Sequence, residues 1–444
     1  MSGTLEGRVS ARLDARVQRD VDHPVALALS GGGDSMALLL IAADWARDAG
    51  RRLLAITVDH GLSPEAADWS RRCARAARAV GADWIECRWA GAKPATGLPA
   101  AARRARHALI GNAARQAGAR VVLFAHTADD LAESDWMRAR GSTLGGLREW
   151  SPSPAWPEGR GLMLLRPMLE ERREALRDWL RARGQDWVED PANARFERGR
   201  ARAALHALPE GEGLRLAEPS DAPAERVRGY DANREEDNPS PFRASPIADA
   251  LGRSRPLPLG EGFEGVAADL AVTLLCAAGH DRRPRGDRLG ALSARVAAGE
   301  AFTATLAGAR VEASRDRVIV GREAGEFKRV PVPPLVLQPG TPAVWDGRYE
   351  ITAPEAGWTV VAALGRLNRL SKADRAIAET VPAWGRGALP VLIRDGVDAP
   401  VLAWRAAAVR ALAPRRLRLA LGETTQECEL HGTIHGETTP SDLF

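Results

Sequence analysis

Val25-Ala26-Leu27-Ala28-Leu29 is a short apolar run that ends directly on Ser30-Gly31-Gly32-Gly33-Asp34-Ser35. Met36 then opens a second apolar run with helical spacing that continues to about Gly50. A buried strand joined to a helix through three consecutive glycines leaves few folds open. Glycine lets the backbone adopt conformations that a side chain forbids and lets it pass close to a ligand. Amides of such a loop, beside a helix N-terminus, form an anion site suited to phosphates. Ser30 and Ser35 add hydroxyl donors. Asp34 would repel a bare phosphate, so its expected task is to hold a metal ion that bridges to the phosphates. The commoner phosphate loop carries Lys just before its Ser or Thr. Asp34 stands there instead, so γ-phosphoryl transfer of that kind is not expected.

The alternation continues. Residues 53–58 and 83–89 read as strands, as do 121–124 and 163–166. Between and after them the spacing predicts helices over 64–80, 100–117, 128–138 and 170–183. Ser63 is the expected N-cap of the first of these, with Pro64 at its opening position. Strands separated by helices of this length imply an α/β fold with a doubly wound, mostly parallel sheet. Such sheets bind ligands at the carboxyl ends of their strands. The loop at 30–35, His60 and His126 all fall at such ends, which points to one site.

A chain of 444 residues is long enough for two to three domains of ~150 residues. The alternating pattern assigns 1–205 to a catalytic domain. Eight prolines and many charges over 209–264 break every periodicity, and 206–264 is expected to be a mobile linker or insertion. Smaller helical and α+β C-terminal domains follow, a middle one over 265–330 and a last one over 331–444. Within them, helices are expected from Val266 and Leu289, a small β element over 302–320, and a hairpin over 343–351 turning at Asp346-Gly347. No apolar run approaches the ~20 residues of a membrane span. Met1–Glu6 lacks a basic-then-apolar leader pattern. Cys73, Cys87, Cys276 and Cys428 are scattered. A reducing cytoplasm without disulfides is therefore expected. The net charge of +4 is compatible with a nucleic-acid partner. Only three of the 62 cationic residues are Lys, a bias that reads as composition rather than a recognition code.

Four further groups carry chemistry. Val58-Asp59-His60-Gly61-Leu62 closes a strand with polar residues suited to a nucleotide pocket. In Ala125-His126-Thr127-Ala128-Asp129-Asp130-Leu131-Ala132-Glu133-Ser134, helical spacing puts Asp130 and Glu133 on one face. Their repulsion would be relieved by a cation, either a metal or the ammonium of an amino acid; the alternative is an acidic helix start that favours the dipole. Arg103 and Arg106 are three apart and can face one anion, or form a solvated basic face. Trp187-Val188-Glu189-Asp190-Pro191-Ala192-Asn193 leads to Arg198, Arg200 and Arg202, which suit a nucleic-acid backbone or a carboxylate.

The S-G-G-G-D-S loop resembles that of the PP-loop ATP pyrophosphatases. Together with V-D-H-G-L at 58–62, A-R-R-A-R-H at 102–107, H-T-A-D-D-L-A-E-S at 126–134, Arg140-Gly141-Ser142, Gly145-Gly146-Leu147, Arg166-Pro167 and W-V-E-D-P-A-N at 187–193, it resembles the bacterial tRNA(Ile)-lysidine synthases over residues 25–205. That resemblance implies a reaction. ATP adenylates the 2-position oxygen of the wobble cytidine of a tRNA(Ile) with a CAU anticodon. The ε-amino group of free lysine then displaces AMP. It implies ATP as substrate at Ser30, Gly31, Gly32, Gly33, Asp34, Ser35, His60 and His126, and Mg²⁺ at Asp34. It implies Asp34, Arg106 and, in reserve, Arg103 in catalysis. Asp130 and Glu133 would take the substrate's ammonium groups, and Arg198 or Arg202 its carboxylate.

The chain departs from the family pattern at Leu131, where Gln is usual, and at Ser134, where Thr is usual. It also departs at Pro99 in place of Glu, His107 in place of Tyr, and Gly199 in place of Asn. Three rivals stand beside this reading. One is a small-molecule PP-loop synthetase, which in its glutamine-dependent forms needs a glutaminase domain. The second is a tRNA thiolase, which commonly relies on paired cysteines. The third is a non-catalytic RNA-binding protein that keeps an ATP site. Trp345, Tyr349 and Trp358 could stack on unpaired loop bases or fill a core. Nothing in the sequence specifies an oligomeric state.

Overall fold

β1 (Val25–Ala28) is a central strand, and its residues alternate between two apolar layers. Beside it lie β2 (Leu53–Asp59), β3 (Asp83–Arg88), β4 (Val121–Leu123), β5 (Trp150–Pro152) and β6 (Met163–Leu165) in the order β3-β2-β1-β4-β6-β5. The pairs β1–β2, β2–β3, β1–β4 and β4–β6 are all parallel. This computed structural model describes residues 3–140, 146–189, 263–281, 284, 286–315, 317–394 and 396–430. Arg198, Arg202 and nearly all of the expected linker at 206–264 lie outside them.

Strand periodicity explains the layering. Val25, Leu27, Leu53, Ala55, Val121 and Leu123 face one core with Val9, Leu13, Leu38, Leu39, Cys73, Leu176 and Leu180. Their neighbours Ala26, Leu54, Ile56, Val122 and Leu164 face the other, with Ile110 and Ala114. A sheet covered on both faces reads as continuous apolar runs, as these strands do. The covering helices are α1 (Leu5–Arg16), α2 (Gly33–Asp48), α3 (Ala66–Ala79), α4 (Leu98–Gln116), α5 (Ala128–Arg138) and α6 (Arg173–Arg181). Leu38 and Leu39 are wholly buried, each contributing roughly 1.5–3 kcal/mol. The strand order reverses between β1 and β4, which makes their carboxyl ends the switch point of the sheet.

The helices differ from expectation in several places, with α4 starting at Leu98 rather than at 100. α3 starts at Ala66, not Pro64, because the Ser63 hydroxyl accepts from the Glu65 amide at 3.3 Å and the chain turns there first. α6 starts at Arg173, not at 170. Glu171 is held aside by Arg8 and Arg12, and the Arg173 amide donates to Asp129 at 2.7 Å. α1 was not anticipated; Leu5, Val9 and Leu13 recur every fourth residue among charges.

The chain divides into two compact units. Of the described residues, the first comprises those up to 151, 162–189 and 426–428. The second comprises 152–161 and the described residues from 263 to 425, with 429–430. In the second unit, α7 (Phe263–Ala278) and α8 (Gly286–Ala297) pack on the antiparallel meander β7 (Phe302–Leu306), β8 (Ala309–Ser314) and β9 (Arg317–Arg322) through Leu270, Leu274, Val296, Val311 and Val320. α7 thus begins three residues earlier than expected. Further along, β10 (Leu335–Val336), β13 (Trp358–Ala362), β14 (Pro390–Arg394) and β15 (Val397–Leu402) form one sheet. The expected hairpin is β11 (Ala343–Trp345) and β12 (Tyr349–Thr352), which also pairs with β16 (Ala408–Ala411). Asp346 and Gly347 both take positive φ, 50° and 62°, at its turn. The Asp346 carboxylate bridges the buried Arg322 and Arg348 at 3.2 and 2.7 Å. Trp345 and Tyr349 are core residues, and Trp358 packs against the same core.

Glu427, in the short segment that completes the first unit, is fully buried. It receives Arg51 at 2.8 and 3.0 Å, the Gln18 amide at 2.9 Å and His23 Nε2 at 2.9 Å. Burial alone would raise its carboxyl, but the bonds from His23 and Arg51 and the Arg51 charge pull it from 4.5 down to about 2. A carboxyl depressed on folding stabilises above its unfolded-state pKa and loses that contribution as pH falls through the folded value. Glu427→Gln should therefore cost ~3 kcal/mol near neutrality. The gap between wild type and variant in thermal unfolding should close between pH 4.5 and about 2.

Candidate active site

The loop at 30–35 leaves β1 and enters α2 with Gly32 as its N-cap. The Ser35 hydroxyl donates to the Gly32 carbonyl at 2.9 Å and lies 3.1 Å from the Ser30 hydroxyl, so the two serines brace the turn. Gly31 has φ +83°, a conformation disfavoured for any residue with a Cβ. A Cβ there would also lie 3.2 Å from Cys73 Sγ and 3.6 Å from Val188 Cγ2. One on Gly33 would lie 3.4 Å from the Trp187 ring. The Val188 amide donates to the Gly31 carbonyl at 2.9 Å. The glycines therefore admit the Trp187–Val188 segment against one side of the loop. Glu189 ties that segment to α6 through Arg177 at 3.1 Å and accepts from the Trp187 indole at 2.8 Å.

Asp34 sits in the first turn of α2, and Asp130 and Glu133 lie one turn apart on α5. The structure brings all three together around Arg173. Its Nε lies 3.1 Å from Asp34, one terminal nitrogen 3.0 Å from Glu133 and the other 3.4 Å from Asp130. Asp130 also accepts from the Thr127 amide at 2.9 Å and hydroxyl at 3.0 Å, a capping box at the start of α5. The helix-start reading and the cation-site reading thus hold for the same carboxylate. Burial pushes the Asp34 carboxyl above its usual range, while Arg173 works against that. Burial opposes the charge on Arg173, yet Asp130, Asp34 and Glu133 outweigh it and hold the guanidinium above the ordinary arginine value. Arg173 carries no local signal; it is one arginine in a chain crowded with them, 139 residues from Asp34 in sequence.

A second group flanks the end of β4. His107 of α4 stacks on Phe124 with ring centroids 5.2 Å apart, and Phe124 stacks on His126 at 5.9 Å. His126 Nδ1 accepts from Arg166 Nε at 3.2 Å, which places its neutral proton on Nε2. Burial, then the charges of Arg106 and Arg103, drive His107 down to about 2. It is thus an uncharged stacking residue at neutral pH. Burial and Arg103 lower Arg166 to about 10. His60 is half-buried, edge-on to Trp89 at 6.1 Å, and its pKa is lowered by burial and by Arg106. Arg103, Arg106 and Arg166 are therefore the cationic members of this group, and the two arginines of α4 bear on His107.

Beside the loop opens a cleft of about 450 Å³ lined by Trp69, Arg71, Arg72 and Arg75 of α3 with Trp187 and Val188, and also by the acidic Glu65, Asp68 and Glu189, of which Asp68 pairs with Arg71. Guanidinium groups and indole rings suit phosphates and bases. Among the described residues no group of three or more His, Cys, Asp or Glu side chains could hold a metal. All four cysteines are unpaired, and burial raises the Cys73 and Cys87 thiols, the opposite of an activated thiolate.

A glycine loop on a strand–helix turn, at the switch point of a parallel sheet and beside a carboxylate cage, defines a PP-loop protein. A family profile described as a PP-loop domain matches residues 5–208. The tRNA(Ile)-lysidine synthase of Caulobacter vibrioides is 43% identical over 95% of this chain and 98% of its own length. That of Hyphomonas neptunium is 35% identical over 80% and 96%. That of Rhodopseudomonas palustris is 36% identical over 75% and 98%. The chain belongs to the tRNA(Ile)-lysidine synthase family. A solved U34-tRNA thiolase from Methanococcus maripaludis aligns over 45% of this chain and 72% of its own, with a TM-score of 0.38 and 14% identity, too weak a likeness to bear on activity.

Gly31→Ala should lose ~1–2 kcal/mol of stability from backbone strain and weaken ATP binding. Gly81, with φ +77° and no atom within 4 Å of an added Cβ, is the control. Gly81→Ala should show the strain in denaturant unfolding and leave nucleotide affinity unchanged.

Proposed function

We propose that this chain joins free lysine to C2 of the wobble cytidine of tRNA(Ile) bearing a CAU anticodon, through an adenylated cytidine, releasing AMP and diphosphate. The observation that carries this reading is the convergence of Asp34, Asp130 and Glu133 on one organic cation beside the glycine loop. A cage that accommodates a guanidinium has the charge and size to take an alkylammonium. AMP is a good leaving group, which divides one difficult substitution into two easier ones.

The amides of residues 31–35 and the hydroxyls of Ser30 and Ser35 hold the triphosphate at the positive end of α2. His60 and His126 line the nucleotide pocket. Asp34 is the residue that would hold Mg²⁺. With only one carboxylate offered by the loop, the remaining oxygen ligands would come from phosphates and water, a donor set that fits this ion. When bound, the ion screens charge on the triphosphate and the departing diphosphate. Arg106, or in reserve Arg103, stabilises charge developing at the reacting phosphorus. Asp130 and Glu133 bind the ammonium groups of lysine, and Arg198 or Arg202 its carboxylate. The raised thiols of Cys73 and Cys87 speak against the thiolase alternative. The cytoplasm is the compartment that suits unpaired cysteines; among the described residues no helix is long and apolar enough to cross a membrane.

The test is incubation with ATP, Mg²⁺, labelled lysine and unmodified CAU isoleucine tRNA. Label should move to the tRNA; adenylation of intact tRNA with all label left on free lysine would refute the assignment. Asp34→Ala should abolish adenylation. Glu133→Ala should adenylate normally and raise the lysine KM about 100-fold, the loss of ~3 kcal/mol from one buried charge contact.

A further inference from the structure

Arg173 has no part in the reaction just proposed, yet it touches both of its halves. Its three guanidinium nitrogens are each committed to a different carboxylate, one on the nucleotide loop and two on α5. The side chain is only 10% exposed. Its backbone is equally fixed, since the Arg173 amide donates to Asp129 and the preceding Glu171 is clamped by Arg8 and Arg12. The guanidinium therefore stands where a substrate ammonium would have to stand. A site filled by an internal cation binds an external one only after the internal one gives way.

We propose that Arg173 is a positioning residue that makes lysine binding depend on nucleotide binding. Without nucleotide, its guanidinium occupies Asp130 and Glu133. Phosphates at residues 30–35 lie on the Asp34 side of the cage, and they draw the guanidinium toward the loop and release the α5 carboxylates to lysine. Adenylation then precedes amine entry, and the reactive intermediate forms before its nucleophile is admitted. The guanidinium reaches the three carboxylates through three separate nitrogens of a planar fork, whereas a lysine ammonium presents its three donors from one nitrogen. This inference rests on the lysine-ligation reading above.

The experiment is calorimetric titration of L-lysine into the full-length protein with unmodified isoleucine tRNA present. It is run with and without a magnesium complex of an ATP analogue that cannot be cleaved between the α and β phosphates. In wild type the analogue should tighten lysine binding 5- to 150-fold, the usual range of coupling between sites, and lysine should tighten the analogue equally. Arg173→Lys keeps the charge and should bring that ratio to about one. Arg173→Met should bind lysine more tightly than wild type in the absence of nucleotide. A ratio of one in wild type would overturn the proposal, as would an unchanged ratio in Arg173→Lys. So would equal losses of lysine affinity with and without nucleotide in both variants, which is what a purely structural arginine gives. Lysidine formation with nucleotide-independent lysine affinity would overturn this inference alone. Failure of wild type both to bind lysine and to form lysidine would overturn it together with the functional reading.

Discussion

Three carboxylates gathered in a mostly buried space repel one another unless a cation stands among them, and Arg173 is that cation. Its position is the last link of a longer chain of ion pairs. Arg8 and Arg12 of α1 grip Glu171. Glu171 also offers its carbonyl to the first amide of α5 at 3.0 Å, and Asp129 of α5 returns a bond to the first amide of α6. The starts of α5 and α6 are thereby locked to each other and to α1. Glu133 and Arg173 face one another because of this lock, and Asp34 is reached from the far side. Ion pairs made by α1 are thus linked, through Glu171 and the start of α6, to the arginine that pairs with Asp34.

The parallel sheet supplies the other constraint. With both faces covered by helices, the strand ends are where the polar groups of the chain can gather. Two surfaces of opposite chemistry meet at the carboxyl ends of β1 and β4. Beyond β1 and into α5 the charge is acidic and centred on Asp34, Asp130 and Glu133. On the α4 side it is basic and aromatic, with Arg103, Arg106, Arg166 and the stacked rings of His107, Phe124 and His126. A reaction that spends a triphosphate to join an amine to a nucleobase needs both kinds of surface within reach of one centre. His107, a departure from the family pattern, stacks its ring on Phe124, and burial keeps it uncharged.

The alternating apolar runs made the sheet legible, because a strand buried on both faces needs nothing but apolar residues, and that is a local property. Element ends were less legible. Ser63-Pro64 has the chemistry of a helix start, yet the chain spends those residues on a turn. Glu170-Glu171-Arg172 continues a helical pattern, yet Glu171 is recruited by α1. α1 was missed because its three apolar positions are outnumbered by charges, and only contact with α2 and the sheet reveals that Val9 and Leu13 are fully buried. In the site, Asp34 stood out as an acid within a phosphate-type loop, and Asp130 and Glu133 as carboxylates sharing one helix face. Arg173 did not, since one arginine among many is unmarked until its neighbours are known.

The sequence by itself determined which residues could form strands, where the backbone needed glycine, and which side chains carried unbalanced charge, since each of these depends on neighbours within a few positions. Only the tertiary structure decided what balances that charge. The parallel crossovers carry Asp34 and Arg173 from 139 residues apart to 3.1 Å, and the Trp187–Val188 segment onto the glycines. Coulomb energy depends on distance through space, and a sequence records only distance along the chain.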